Sequence, residues 1–312
     1  MNPAVSFAPQ RLRAVLERGL QEAGATPAGY CIALSGGLDS TVLAAALAAS
    51  GAGNDRSLRA IHVDHGLHPD SALWSAHCRW LAERLGLPCE IVAVDARPAA
   101  GESPEAAARA ARYAVLAERL QPGEVLLTAH HGDDQVETVL LQWLRGGGLS
   151  AVAGMRPVTP FAAGWLARPL LGFTRHELEA WAKTQGLAWL EDPSNADRRF
   201  DRNYLRLEIL PRLRSRWPAA ARTVGRVADQ AAETLDIAAE VAAADLATLV
   251  EGETLSLERL ETLPAARQRL ALRAWLRSRG VAVPPAATLE ALRRDMRTAD
   301  DERLPDTRLP GA

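Results

Sequence analysis

The stretch that decides the fold is Ser35-Gly36-Gly37-Leu38-Asp39-Ser40, which follows the apolar run Tyr30 to Leu34 and opens a helical segment near Ser40. Two adjacent glycines permit a tight turn and let backbone N–H groups approach an anion, the serines add hydroxyl donors, and a helix N-terminus adds partial positive charge. The loop therefore reads as a phosphate cradle. It lacks the lysine and the spacing of GxxxxGK(S/T), so it is not the common nucleotide loop of kinases and GTPases. An acid inside a phosphate loop is unfavourable unless a cation lies between the two, so Asp39 reads as a Mg²⁺ ligand facing pyrophosphate oxygens. The plainer alternative is a Gly-Gly turn with Asp39 as a helix cap.

Working outward, short apolar runs alternate with longer amphipathic ones from Gly29 to about Leu190. The pattern predicts strands near Tyr30 to Leu34, Leu58 to Asp64, Glu90 to Asp95, Val125 to Ala129 and Leu166 to Leu170. Helices are expected around Ser40 to Ala49, Ala72 to Leu85, Glu105 to Leu120, Asp133 to Trp143 and Arg175 to Gln185. This is an α/β fold with a parallel, twisted, Rossmann-like sheet flanked by helices. Ligands of such sheets sit beyond the carboxyl ends of the strands, where Ser35, Asp64, His65, His130 and His131 fall. Beyond Pro218 the strand signals fade into an Ala-, Leu- and Arg-rich helical pattern, which predicts a nucleotide-binding domain over 1–217 and a smaller helical domain over 218–312.

The length of 312 residues suits two domains, and 48% hydrophobic against 24% charged residues excludes a disordered or fibrous chain. With 36 basic against 38 acidic residues the formal charge is −2, so any nucleic acid must be gripped by a local patch. Cys31, Cys78 and Cys89 form no CxxC, no signal peptide is evident and no apolar run approaches membrane length; these point to a cytoplasmic protein without a membrane partner. Lys183 is the only lysine, so positive charge is carried almost entirely by arginine.

The loop SGGLDS resembles the PP-loop of the ATP pyrophosphatase superfamily. Further motifs are His62-Val63-Asp64-His65-Gly66-Leu67, Glu105 to Arg109 with Arg112-Tyr113, Thr128 to Thr138 (TAHHGDDQVET) and Arg145-Gly146-Gly147-Gly148-Leu149. Arg168-Pro169-Leu170-Leu171, Glu191 to Asn195 and Phe200-Asp201-Arg202-Asn203 complete them. Together, over roughly residues 29 to 216, they are similar to the tRNA(Ile)-lysidine synthetase family. That resemblance implies ATP and Mg²⁺, and a two-step reaction on a CAU-anticodon tRNA(Ile). The C2 oxygen of the wobble cytidine is adenylated and L-lysine then displaces AMP, giving lysidine and diphosphate and moving codon specificity from AUG to AUA. A homodimer is an oligomeric state to be tested.

Carried over by position, the resemblance assigns Ser35, Gly36, Gly37, Leu38, Asp39, Ser40, Asp64, His65 and His131 to ATP. It assigns Asp134, Glu137 and Arg202 to lysine, with Asp39, Glu137 and Arg202 catalytic. If the helix begins near Asp133, Asp134 and Glu137 share a face suited to an ammonium group; a nucleophilic amine must be neutral, which Glu137 could promote. The plainer reading makes Asp133 and Asp134 helix caps. His130 and His131 beside two acids also allow a metal-hydrolase reading.

Arg109 and Arg112, three apart on an Ala-rich helix, are either solvated or bound to tRNA, and the family matches both. Arg198 to Trp217 carries a net +5, which reads as tRNA backbone contact and includes Arg206. Arg267 to Arg297 is a second basic cluster, with Arg269 and Arg273 assigned to tRNA and a solvated face as the alternative. Trp217 and Trp275 could stack on bases or pack in the core. Competing functions are a PP-loop tRNA thiolase, which the cysteine pattern does not favour, a metal-dependent phosphohydrolase and a non-catalytic RNA-binding module.

Overall fold

The computed structural model describes residues 7–66, 71–97 and 104–298. Leu67, the side chains of Glu105 and Arg297, and the tail 300–312 lie outside the described residues. In chain order the first part runs α1 (Pro9–Glu22), β1 (Gly29–Ala33), α2 (Leu38–Ala49), α3 (Ala52–Asp55), β2 (Ser57–Asp64), α4 (Ser71–Arg84), β3 (Cys89–Ala93), α5 (Pro104–Arg119) and β4 (Glu124–Leu127). It continues with α6 (Gly132–Leu144), α7 (Leu149–Ala153), β5 (Val158–Phe161), β6 (Gly164–Ala167) and α8 (Arg175–Thr184), then a 3₁₀ turn (Pro193–Ala196). After it come α9 (Asp201–Tyr204), a π-helical turn (Leu205–Ile209) and α10 (Leu210–Arg216).

Among the described residues six strands form one sheet in the order β3-β2-β1-β4-β6-β5, parallel except for β5. The chain winds from β1 outward through β2 to β3, then returns to place β4 on the other side of β1. The switch point thus lies between β1 and β4, the place where open α/β sheets leave a crevice for ligands. Alternation along β1 divides the core. Tyr30, Ile32 and Leu34 pack with α1, α2 and α8, while Cys31 packs with Ile61, Leu126, Leu166 and Leu116 of α5 on the opposite face. Nearly all of α2 from Leu38 to Leu47 is buried, so it shows no polar face.

The predicted α/β order holds, with short added helices at α3 and α7 and three larger differences. α1 was not anticipated; Leu12, Leu16 and Leu20 recur every fourth residue and bury its inner face. The fifth predicted strand, Leu166 to Leu170, is β6 at Gly164–Ala167, because residues from Arg168 onward turn away at Pro169. β5 is an added antiparallel edge strand, hidden in the sequence by Pro160, which is tolerated only where no central ladder is required.

The chain divides into two compact units, Met1–Gln230 and Ala231–Ala312. The remaining elements are α11 (Ala220–Leu249), a hairpin of β7 (Val250–Glu251) and β8 (Thr254–Leu255), α12 (Leu257–Glu261), α13 (Ala265–Ser278) and α14 (Ala286–Thr298). Leu249, Leu260, Leu272, Leu276 and Leu289 form the core of the second unit, and Trp275 packs against it. Among the described residues no helix is long and apolar enough to cross a membrane.

Candidate active site

The loop after β1 bends at Gly36, whose φ of +81° is a left-handed conformation that favours glycine. A Cβ there would lie 3.0 Å from the Cys78 sulfur. The Ser40 hydroxyl accepts from the Ser35 and Gly36 N–H groups (3.2 and 3.1 Å) and bonds the Gly37 carbonyl (3.1 Å), fixing the turn from inside. Gly37 is the N-cap of α2 and provides no side-chain cap. The first N–H groups of that buried helix therefore face the crevice unsatisfied by a cap, as an anion site requires. Leu190 N–H donates to the Gly36 carbonyl (2.9 Å), so the segment before Glu191–Asn195 braces the loop.

Asp39 sits in the first turn of α2. Its Oδ2 accepts from Arg175 Nη1 at 2.7 Å and lies 3.6 Å from His131 Nε2, while its Oδ1 is buried without a partner. Mg²⁺ takes one or two carboxylates and completes its shell with phosphate oxygens and water. A lone carboxylate with a free inward oxygen beside a phosphate loop fits that ion.

Across the switch point, His131 caps α6. Its Nδ1 accepts from the N–H groups of Asp133 and Asp134, so the ring proton lies on Nε2, facing Asp39 and Asp134. Asp134 closes the capping box by accepting from His131 N–H at 3.0 Å. Capping is therefore performed by His131 and Asp134. Asp133 takes no part in that cap: its Oδ2 accepts from Arg175 N–H (2.8 Å) and its Oδ1 pairs with Arg214 (2.8 Å).

Asp134 and Glu137 meet two arginines. Arg202 donates to Glu137 (2.7 Å) and Asp134 (3.2 Å), and Arg206 donates to both Glu137 oxygens (2.8 and 3.0 Å) and to Asp134 (3.2 Å). Glu137 is 0% exposed. Burial alone would raise the Asp134 carboxyl, yet His131 and Arg202 hold it well below the usual carboxylate range. Asp39, Asp133, Asp134 and Glu137 are thus matched by Arg175, Arg202, Arg206 and Arg214.

Arg206, expected among the RNA contacts, pairs with Asp134 and Glu137 in this network. It stands four residues from Arg202 on one helical face, in the π turn that precedes Pro211, whose missing N–H interrupts the regular ladder. The +5 stretch is largely spent on ion pairs: Arg198 with Glu208, Arg199 with Asp197 and Arg214 with Asp133. Arg216 lies over the exposed Trp217 ring at 5.7 Å.

At the end of β2, Asp64 accepts from Gly66 N–H (2.9 Å) and Ser75 Oγ (3.1 Å), which shapes the turn. His65 has a buried Nδ1 without a partner, and burial lowers its pKa. His130 bonds Thr128 Oγ1 through Nδ1 (3.0 Å), and burial pushes its pKa down to about 3, leaving it neutral. Arg109 stacks on Tyr113 at 4.9 Å; burial lowers the pKa of Arg112. In the second unit, Arg269 and Arg273 lie half-buried on α13. The pairings of Arg175 and Arg214 escaped sequence reasoning, since nothing local says that Arg175 meets an acid 136 positions away. Among the described residues no three His, Cys, Asp or Glu side chains form a metal-ligand group.

A helix start open to an anion at the β1/β4 switch, an acid with one free oxygen, and a buried acid–arginine network lie together at one edge of an α/β sheet of the nucleotide-binding class. The PP-loop domain model matches residues 10–213, and the chain belongs to that family. The TilS substrate binding domain model matches residues 255–312. Over 277 residues the chain is 49% identical to a tRNA(Ile)-lysidine synthase of Alkalilimnicola ehrlichii, covering 89% of this chain and 62% of that protein. The synthases of Methylococcus capsulatus and Pseudomonas aeruginosa are each 46% identical, over 88% of this chain and 64% and 63% of theirs. The chain thus spans slightly less than two thirds of these relatives. In fold it is similar to the U34-tRNA thiolase NcsA from Methanococcus maripaludis, with TM-score 0.56 and 16% identity over 72% of this chain and 83% of that one.

Proposed function

We propose that this chain uses ATP to adenylate the C2 oxygen of the wobble cytidine in a CAU-anticodon tRNA(Ile), then joins L-lysine to that carbon, releasing AMP. The observation that carries the reading is the buried Asp134–Glu137–Arg202–Arg206 cluster, set at the same sheet edge as a phosphate loop. The similarity to proteins named tRNA(Ile)-lysidine synthase supports it.

Residues Ser35 to Ser40 hold the pyrophosphate end of ATP against the start of α2. Asp39 would hold Mg²⁺ through its free oxygen, and that ion would neutralise charge developing on the phosphates. Asp64 and His65 border the adenosine edge, and His131 keeps its Nε2 proton between Asp39 and the α6 acids. An amino acid carries both charge signs, so lysine can enter the balanced cluster by exchange. Its carboxylate takes a guanidinium of Arg202, and its ammonium takes the carboxylates of Asp134 and Glu137 so released. Glu137 then accepts the proton that the attacking amine must lose. In this reading residues 1–217 catalyse and 218–312 contact RNA through Arg269 and Arg273, with Arg109 and Arg112 contributing from α5; the enzyme is cytoplasmic and is tested as a homodimer.

Sulfur transfer is disfavoured by the thiols: burial pushes Cys31 and Cys78 up to about 12 and also raises Cys89. The decisive experiment is incubation with ATP, labelled lysine and total tRNA. Label that stays in RNA after mild alkaline deacylation supports the reading, and its absence refutes it. Asp39→Asn should abolish ATP-dependent pyrophosphate release while the circular dichroism spectrum is kept; retained release removes the Mg²⁺ role.

A further inference from the structure

On the α5 face of the sheet lies an open cavity of about 360 Å³, lined in part by Arg109, to which the reaction scheme gives no specific ligand. Ala106, Arg109, Ala110 and Tyr113 line one wall, at helical positions i, i+3, i+4 and i+7, so a single stripe of α5 faces it. The opposite wall is Arg168, the first residue after β6. Small alanines leave the space, and the guanidiniums of Arg109 and Arg168 give it its charge.

Neither arginine is paired with a carboxylate among the described residues. Arg168 donates one N–H to the Arg156 carbonyl at 2.8 Å, but its Nε is buried without a partner. Burial and the nearby positive charge of Arg109 both oppose charge on Arg168. Burial, with Arg168 and Arg109 adding to it, keeps His130 neutral, so it adds no further positive charge there. Among the described residues the buried Arg168 Nε is a donor with no acceptor, and a buried donor is otherwise satisfied; the exposed Arg109 beside it adds a second positive charge, so the cavity suits an anion.

The ATP tail is not that anion. Its loop opens α2, which packs on the Ile32 and Leu34 face, whereas α5 packs on the Cys31 and Leu126 face. The cavity is also wide for an isolated carboxylate or phosphate, and its alanine and tyrosine walls suit the ribose or base attached to an anion.

We infer that this cavity is a phosphodiester subsite, in which Arg168 and Arg109 grip a backbone phosphate of the RNA next to the nucleotide being modified. The inference rests on the proposed RNA substrate. Its role is to fix the acceptor strand at the sheet edge, across the end of β4 from the α6 acids. A forked guanidinium with a free Nε matches phosphate oxygens in a way lysine cannot.

The test uses a stem-loop RNA with a CAU anticodon, in which each linkage flanking the cytidine is replaced in turn by an uncharged methylphosphonate. Binding is measured for the full chain and for Arg168→Gln and Arg109→Gln. One replacement should weaken binding to the unsubstituted protein about ten-fold, the scale of a charge-assisted hydrogen bond, and should have no further effect on either variant. Arg109→Gln carries the test if Arg168→Gln fails to fold, because Arg109 is exposed and stacks on Tyr113. The subsite is overturned if neither replacement changes binding, or if the variants still lose the same factor. Phosphate dependence without lysine transfer would sink the proposed reaction and leave the subsite standing.

Discussion

Replacing Glu137 by alanine should be among the most damaging single changes in the first unit. The side chain is 0% exposed and accepts three N–H bonds, from Arg202 Nε at 2.7 Å and from Arg206 at 2.8 and 3.0 Å. Truncation would leave two guanidiniums facing Asp134 alone. Breaking a buried ion pair by removing one partner costs about 3–5 kcal/mol, because the remaining charge is uncompensated. A cavity of several heavy atoms adds to that cost. The assay is urea unfolding at neutral pH, with Arg145→Ala as the control: Arg145 pairs with Asp201 at 3.4 Å, but both side chains are about 70% exposed, and its loss should be near the limit of measurement. A double variant Glu137→Ala/Arg206→Ala should lose less than the two single changes added, since the second removes a cation that the first leaves unpaired. A Glu137→Ala destabilisation below about 1 kcal/mol, or strict additivity in the cycle, would refute the view that this network is a set of mutually dependent buried charges. Lysine transfer must then be measured where the variant is still folded.

Other expectations follow from the same geometry. His130, with its folded pKa near 3, is neutral where the unfolded residue would be charged. Its contribution to stability is fully present above the unfolded value of about 6.5 and declines as pH falls from there toward 3. A His130→Gln variant should lose that part of the slope in unfolding midpoints taken at pH 7 and pH 5, and identical slopes would contradict the assignment. At the far end of the sheet, a Cβ on Gly164 would lie 2.0 Å from the Glu124 carbonyl oxygen. Gly164→Ala should therefore cost about 1–3 kcal/mol by overpacking against backbone that cannot yield, visible as a lowered melting temperature; an unchanged one would show that the β4–β6 edge opens freely.

Much of the fold was legible because its signals are local. The β1–loop–α2 unit, the alternation of strands and helices, and the placement of His130 and His131 after β4 all rest on periodicity and glycine chemistry within short windows. The edge strand β5 was hidden because Pro160 violates strand propensity, and only pairing with β6 makes that acceptable. At the site, the sequence identified Asp39, Asp134, Glu137 and Arg202 as residues worth testing, but not their partners. It placed Arg206 on an RNA face, although four-residue spacing from Arg202 already put the two on one side of a helix.

By itself, then, the sequence determined the phosphate loop, the sheet class and the supply of acids and arginines. Which arginine meets which acid was decided only by tertiary structure. Arg175 reaches Asp39 across 136 positions, and Arg214 reaches Asp133 from another helix. Arg168 lines a cavity in which no acid is found among the described residues. The physical reason is that Coulomb attraction and desolvation act through space, at separations that chain order does not encode, whereas turn and helix chemistry act between near neighbours and can be read along the chain.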